Sequence, residues 1–174
     1  MVCFLFAVSV SGSLLAGCVA TPTRAERPDP PVLMQWEDFR PATTEGVWIA
    51  GQPSEAALDR FASEAAGRGG LVVNLRTDEE MAYLPYYGRS VSERGVRYVR
   101  IPTSGSTLDA GTVAAFENAV RGHDGPVLLH CASGGRATYL WAMLRMQREG
   151  LSADEAIAWA EAERGKPWER GEDI

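Results

Sequence analysis

The chain is poor in the residues that build metal centres and disulfide frameworks. It holds only two histidines and three cysteines in 174 residues, which leaves no plausible closed zinc site, and no metal or other cofactor is expected. Net positive charge is also absent. A formal charge of −6 argues against a general nucleic-acid or anionic-membrane surface, so any anion-binding must be local. No internal repeat is visible, and no apolar run is long enough to span a bilayer comfortably. What remains is an ordinary globular composition, 45% hydrophobic and 23% charged, with room for one domain whose core can form without disulfides or metal.

Residues 1 to 17 contain no Lys, Arg, Asp or Glu, and Val2 to Leu15 forms an apolar stretch of signal-peptide length. It ends in Leu15-Ala16-Gly17-Cys18. This tetrapeptide resembles the bacterial lipoprotein processing box, which implies cleavage after residue 17, acylation of Cys18 and a lipid anchor in the cell envelope, facing the periplasm. Val19 rather than Asp after the cysteine favours, by the same resemblance, the outer membrane. Residues 18–35, rich in Pro, Thr and charge, read as an extended tether. Removal of Cys3 and acylation of Cys18 leave Cys131 as the sole free thiol. In an oxidising compartment such a thiol favours chemistry over packing.

The folded domain is expected over 36–168. Gly46 to Ala50 reads as its first strand, closed by Gly51-Gln52-Pro53, and Ser54 caps a helix carrying Leu58, Phe61 and Ala65. Leu71 to Leu75 is a buried strand. Thr77 opens a helical segment interrupted by Pro85 and resuming toward Arg94. Val96 to Ile101 forms the next strand, a helix runs from about Leu108 to Arg121, and Pro126 to His130 is the last strand. Helices at Ala137 to Arg148 and Ser152 to Arg164 complete the pattern. Strands alternating with helices specify an α/β, three-layer fold with a mainly parallel central sheet, and ligands in such sheets sit at the C-terminal strand ends.

At one such end lies Val127-Leu128-Leu129-His130-Cys131-Ala132-Ser133-Gly134-Gly135-Arg136. A buried strand runs into a glycine-containing loop that carries a thiol and ends in an arginine at the mouth of a helix. Small residues let successive N–H groups of Ala132, Ser133, Gly134 and Gly135 turn inward, and the helix dipole adds positive potential. A thiol placed there tends to ionise, and Arg136 supplies a planar fork for two oxygens of a tetrahedral anion. His130, on the opposite strand face from its neighbour, is expected to orient the loop rather than act as base.

With Ile49 to Ser54 and Val73-Asn74-Leu75-Arg76, this loop resembles a bacterial group of phosphatase-like domains related to the dual-specificity and tyrosine phosphatases, also found fused to beta-lactamase-like hydrolases. The resemblance covers about residues 45 to 165. It implies a cysteine-phosphatase-like fold, Cys131 as nucleophile, Ala132 to Arg136 as phosphate binders, a phosphorylated protein or small molecule as substrate, and a cysteinyl-phosphate intermediate. Two features depart from the ordinary tyrosine phosphatases. Those place one more residue between Cys and Arg; the shorter spacing also occurs in rhodanese-type sulfurtransferases, so sulfur transfer through a Cys131 persulfide stays open, as does a non-catalytic anion- or partner-binding module. The second is that Ala137 follows the Arg where those enzymes have Ser or Thr, and the general acid is not evident. Asp109 is taken as that acid, with Asp78, Glu79 or Glu80 as alternatives and an N-terminal helix role as the competing reading of Asp109.

Overall fold

The computed structural model describes residues 33–42 and 46–165. The signal segment, Cys18, most of the tether and the segment after Gly165 lie outside the described residues.

Five strands form one sheet: β1 (Arg40–Pro41), β2 (Val47–Ala50), β3 (Leu71–Asn74), β4 (Arg97–Arg100) and β5 (Val127–His130). Their order is β1-β2-β5-β3-β4, with β1 antiparallel at one edge and the other four parallel. The central strands read as continuous apolar runs because both faces are covered. Along them burial alternates by face. Leu71, Val73, Val127 and Leu129 join Val113, Phe116, Leu140 and Leu144 in one core, whereas Val72 and Leu128 join Leu58, Phe61, Tyr87 and Val91 in a second. The first core lies under α4 (Ala110–Val120) and α5 (Gly135–Glu149); the second lies under α1 (Glu55–Glu64) and α3 (Tyr87–Glu93). This is a three-layer α/β fold with a mainly parallel sheet. The short α2 (Asp78–Met81) follows β3, and α6 (Ala153–Arg164) packs outside α5 through Ala156 and Ala160.

The expected helices form with local corrections. The segment after Thr77 divides into α2 and α3 around Pro85, which lacks the N–H a continuous helix requires. Its first piece is closed by a capping box between Thr77 and Glu80. Helix α5 begins at Gly135, two residues before the expected Ala137, so the loop is shorter than the sequence suggests and Arg136 sits in the first helical turn. The domain also begins earlier than Trp36. Met34, assigned by sequence to the tether, donates from its N–H to the Gln52 carbonyl and bridges to Pro53.

Parallel register places Ala50, His130 and Asn74 level at the C-terminal edge of the sheet. The residues that follow each of them therefore converge: Gly51 and Gln52, Cys131 and its loop, and Leu75 and Arg76.

Candidate active site

The loop closes around the sulfur of Cys131. Gly134 N–H donates to Cys131 Sγ at 3.1 Å, and Gly134 reaches this position through a φ of +93° that side-chain-bearing residues rarely adopt. Cys131 itself is buried, while Ser133 at the crown of the loop is exposed and Ala132 and Gly134 are half-buried. The open side of the cradle is thus lined by backbone.

Gly51-Gln52-Pro53 supports the loop from the adjoining strand. A Cβ on Gly51 would stand 2.8 Å from the Ala132 carbonyl oxygen and 3.1 Å from the carbonyl carbon of Ser133, so only glycine permits this approach. Gln52 N–H then donates to Ala132 O at 2.8 Å. The Gln52 side chain accepts from Arg76 Nη1 at 3.1 Å, which ties the ends of β2, β5 and β3 together.

Arg136 turns away from the loop crown toward β3. Nη2 and Nη1 grip Glu80 Oε1 and Oε2 at 2.6 and 2.8 Å, and Nη1 also donates to Thr103 O at 2.7 Å. The Arg136 side chain is 4% exposed and its Nε has no hydrogen-bond partner. Arg76, equally buried, donates to Gln52 Oε1 and to the Glu80 carbonyl, and its Nε is likewise unpartnered. Two buried guanidiniums therefore face one carboxylate. The surplus positive charge suits a bound oxyanion.

These partners set the protonation states. Burial alone pushes the Glu80 carboxyl up, but hydrogen bonds from Arg136 and the Thr77 N–H, with the fields of both arginines, hold it below the ordinary carboxylate range. Burial lowers Arg136 as well, and its bond to Glu80 and the field of Cys131 more than restore it. Arg76 is lowered, first by burial and then by Arg136, with Glu80 and Cys131 opposing. Glu80 is thus an ionised clamp on Arg136 rather than a poised acid.

His130 is fully buried. Its Nδ1 lies 3.2 Å from the Cys131 carbonyl, which can only accept, so Nδ1 carries the proton and Nε2 accepts from the Tyr87 hydroxyl at 3.0 Å. Burial, aided by the fields of Arg76 and Arg136, drives its pKa from 6.5 to about 3, so the ring is neutral at physiological pH. Because the unfolded chain binds this proton near pH 6.5 and the folded one only near 3, stability due to His130 is complete above about pH 7 and falls as pH drops through that window. The expected loss is roughly 1 kcal/mol per pH unit. Urea titrations between pH 7 and 4 should show it, and His130→Asn should flatten the slope; an equal slope in that variant would assign the acid lability elsewhere.

Asp109 occupies the N-cap of α4. Its Oδ1 accepts from Thr112 N–H at 3.0 Å, and no hydrogen bond joins its exposed carboxylate to the loop. The helix role explains the residue without a catalytic one, since aspartate is among the best N-caps. Asp109→Ala is expected to cost about 1 kcal/mol, whereas Asp109→Asn should keep both the cap and turnover; a turnover loss in the stable Asn variant would restore the acid role. Of the alternative acids, Asp78 pairs with Arg100 at 2.7 Å, largely exposed, and only Glu80 reaches Arg136. Sequence reasoning did not single out Tyr87 or Thr103, and it read Gln52 as part of a turn and of the motif that carries the family resemblance, with no role in the site. A buried Tyr and a buried Gln carry no period or spacing that would mark them. Among the described residues no group of His, Cys, Asp and Glu could hold a metal, and no helix is long and apolar enough to cross a membrane.

Similarity to known proteins agrees with this geometry. The Beta-lactamase hydrolase-like protein of Xylella fastidiosa, strain 9a5c, is 29% identical over 136 residues, covering 67% of this chain and 30% of its own length. The Agrobacterium fabrum protein of the same name is 33% identical over 102 residues, 57% of this chain and 23% of its own length. The chain therefore spans less than a third of these curated relatives. Among solved structures, Tk-PTP in its active form superposes with a TM-score of 0.60 at 28% identity over 79% of this chain and 91% of its own. A putative phosphatase from Neisseria meningitidis gives 0.57 at 22%, over 71% and 86%, and TpbA of P. aeruginosa, solved in complex with phosphotyrosine, gives 0.58 at 18%, over 83% and 84%. The latter two show the shared fold alone. The model of the phosphatase-like domain of Beta-lactamase hydrolase-like proteins matches residues 38–147, from the turn before β1 into α5, and the chain belongs to that family.

Proposed function

We propose that the domain is a cysteine-dependent phosphomonoesterase that works through a cysteinyl-phosphate intermediate. The observation that carries this reading is the 3.1 Å bond from Gly134 N–H to Cys131 Sγ at the head of α5, with Arg136 buried alongside. The Cys131 thiolate attacks phosphorus; the S–P bond forms as the ester P–O bond breaks, and the leaving oxygen takes its proton from solvent or an acid. Water then attacks phosphorus, the S–P bond breaks, and phosphate leaves with the thiolate regenerated. Loop amides hold the equatorial oxygens throughout.

Because Glu80 is clamped in its ionised form and Asp109 caps a helix, leaving groups that depart without a proton fit best. Aryl phosphates, including phosphotyrosine, are the proposed class, in protein or small-molecule form, with tyrosine or dual specificity. Alkyl phosphates should be slower by about 10² to 10⁴, the usual contribution of a positioned acid. A lipid anchor on Cys18 would hold the domain at the cell envelope, facing the periplasm. The short Cys-to-Arg spacing favours one competing reading, sulfur transfer through a persulfide on Cys131. Acid quenching during turnover of an aryl phosphate, followed by mass spectrometry, separates the two: a phosphoryl group on Cys131 supports the phosphatase, whereas a lone added sulfur after thiosulfate treatment, with no phosphate release, would replace it.

A further inference from the structure

Past the ends of β2 and β3, two buried polar side chains stand behind the loop: Gln52 and Arg76, 1% and 4% exposed. Neither reaches a substrate, so whatever they contribute passes through other groups. The hydrogen-bond partners of the Arg76 guanidinium are both neutral. Nη1 donates to Gln52 Oε1 and Nη2 to the Glu80 carbonyl, each at 3.1 Å, while the Glu80 carboxylate is taken by Arg136 and Arg76 Nε donates to nothing. Burying a cation against neutral acceptors is costly, so packing alone does not account for the residue. Gln52, held at its side chain by Arg76 and at its carbonyl by the Met34 N–H, turns its own N–H onto the Ala132 carbonyl at 2.8 Å. That last bond fixes a peptide plane. The peptide between Ala132 and Ser133 is trans, so its N–H points opposite to its carbonyl. With Ala132 O drawn outward to Gln52, the Ser133 N–H is turned into the ring of the loop, and among the described residues no group receives it.

We propose that Arg76 is a positioning residue for the anion loop: through Gln52 it keeps the Ser133 N–H aimed at the anion over Cys131, and through the Glu80 main chain it seats the carboxylate that grips Arg136. Without that support the peptide is free to turn over. A turned peptide presents the Ala132 carbonyl, an acceptor, where a phosphoryl oxygen needs a donor. The Gly135 N–H supplies the contrast. The carbonyl of its own peptide, Gly134 O, accepts from the Thr138 N–H at 3.0 Å and from Thr138 Oγ1 at 2.9 Å, so α5 fixes that amide by itself and Arg76 has no part in it. The inference rests on the phosphatase reading of the cradle, and it adds the residue that aligns one of the donors.

Arg76→Met and Gln52→Leu are each expected to lower turnover of phenyl phosphate about 10²-fold, the loss of one preorganised donor, and chiefly in kcat rather than KM. Both break the same tie, so the double variant should fall no more than about tenfold below either single; a loss of about 10⁴, the product of two independent effects, overturns the proposal. Circular dichroism verifies folding, and Gln52→Leu, which keeps the Gln52 main chain, carries the test should Arg76→Met fail to fold. A structural role alone cannot single out one amide. In amide NMR spectra of Cys131→Ser protein titrated with inorganic phosphate, the Ser133 proton should move downfield, and adding Arg76→Met or Gln52→Leu should abolish that shift while Gly135 still responds. Wild-type kcat in both variants, or a Ser133 shift that survives them, overturns the proposal. If the wild type releases no phosphate from phenyl phosphate, the phosphatase reading fails by itself, and the comparison of Ser133 with Gly135 still decides the role of Arg76; silence of both amides refutes it.

Discussion

Cys131→Ser is expected to bring release of phosphate from an aryl phosphate down to background, a loss of about 10⁵-fold or more, the order seen when an enzyme's nucleophile is removed. The argument is chemical rather than steric. Serine fits the same pocket, and its Oγ can receive the Gly134 N–H that now meets Cys131 Sγ at 3.1 Å, but its hydroxyl is not ionised near neutral pH and no base stands ready. His130 cannot serve as one, because its Nε2 accepts from Tyr87 and its Nδ1–H is committed to the Cys131 carbonyl. The loop amides and Arg136 are untouched by the change. Binding of inorganic phosphate should therefore survive in the variant and tighten, since a neutral oxygen replaces a thiolate facing the anion. Calorimetry with phosphate and a continuous phosphate-release assay on the same preparation separate these effects. Turnover retained in Cys131→Ser would mean that the nucleophile is not Cys131, and phosphate binding lost together with turnover would mean that the loop had collapsed.

The parts of this site that could be read in the sequence are those encoded by local order. Val127-Leu128-Leu129 followed by Cys131, two glycines and Arg136 states a buried strand, a tight loop and a helix start, because each of these has its own residue preferences. Gly51-Gln52-Pro53 could be read as a turn, yet not as a buttress, since the need for glycine arises from Ala132 O across the sheet. Pairings between distant positions leave no local trace. Tyr87 finds His130 from 43 positions away and Glu80 finds Arg136 from 56, and nothing in a single chain links them. Asp109 shows the opposite difficulty: an aspartate before a helix satisfies the rule for a cap and the rule for an acid alike, and only the bond to Thr112 N–H assigns it to the helix. The edge strand β1 is two residues long, too short for any alternation to register. Its position nevertheless brings Arg40 to the rim of the loop.

Arg136→Met is expected to affect both rate and stability, and Glu80 is the means of telling the two apart. Nη1 and Nη2 of Arg136 hold the carboxylate of Glu80 at 2.8 and 2.6 Å, with the arginine 4% and the glutamate 26% exposed. Removing the cation strands a mostly buried carboxylate, which costs about 3 kcal/mol, the lower end of the range for a broken buried pair because Glu80 keeps some solvent and the neighbouring field of Arg76. For a domain of this size that is a fall of roughly 10 °C in Tm. Adding Glu80→Gln should restore most of it, because the stranded charge is gone and the amide can still receive the Thr77 N–H that now bonds Oε2. The rate should not return. Loss of the Arg136 guanidinium removes stabilisation of charge as it develops on the phosphoryl oxygens, about 10² to 10³ in kcat for a single preorganised donor, and the double variant should show the same deficit as Arg136→Met. Arg136→Lys tests geometry against charge: it keeps the cation and should recover stability, but a point ammonium cannot grip Glu80 with two parallel bonds and still face the anion, so most of the kinetic loss should remain. Calorimetric Tm values and kcat on an aryl phosphate for the three variants decide the matter. Full kinetic recovery in the double variant would show that Arg136 serves only to neutralise Glu80, and that the loop amides alone bind the phosphoryl group.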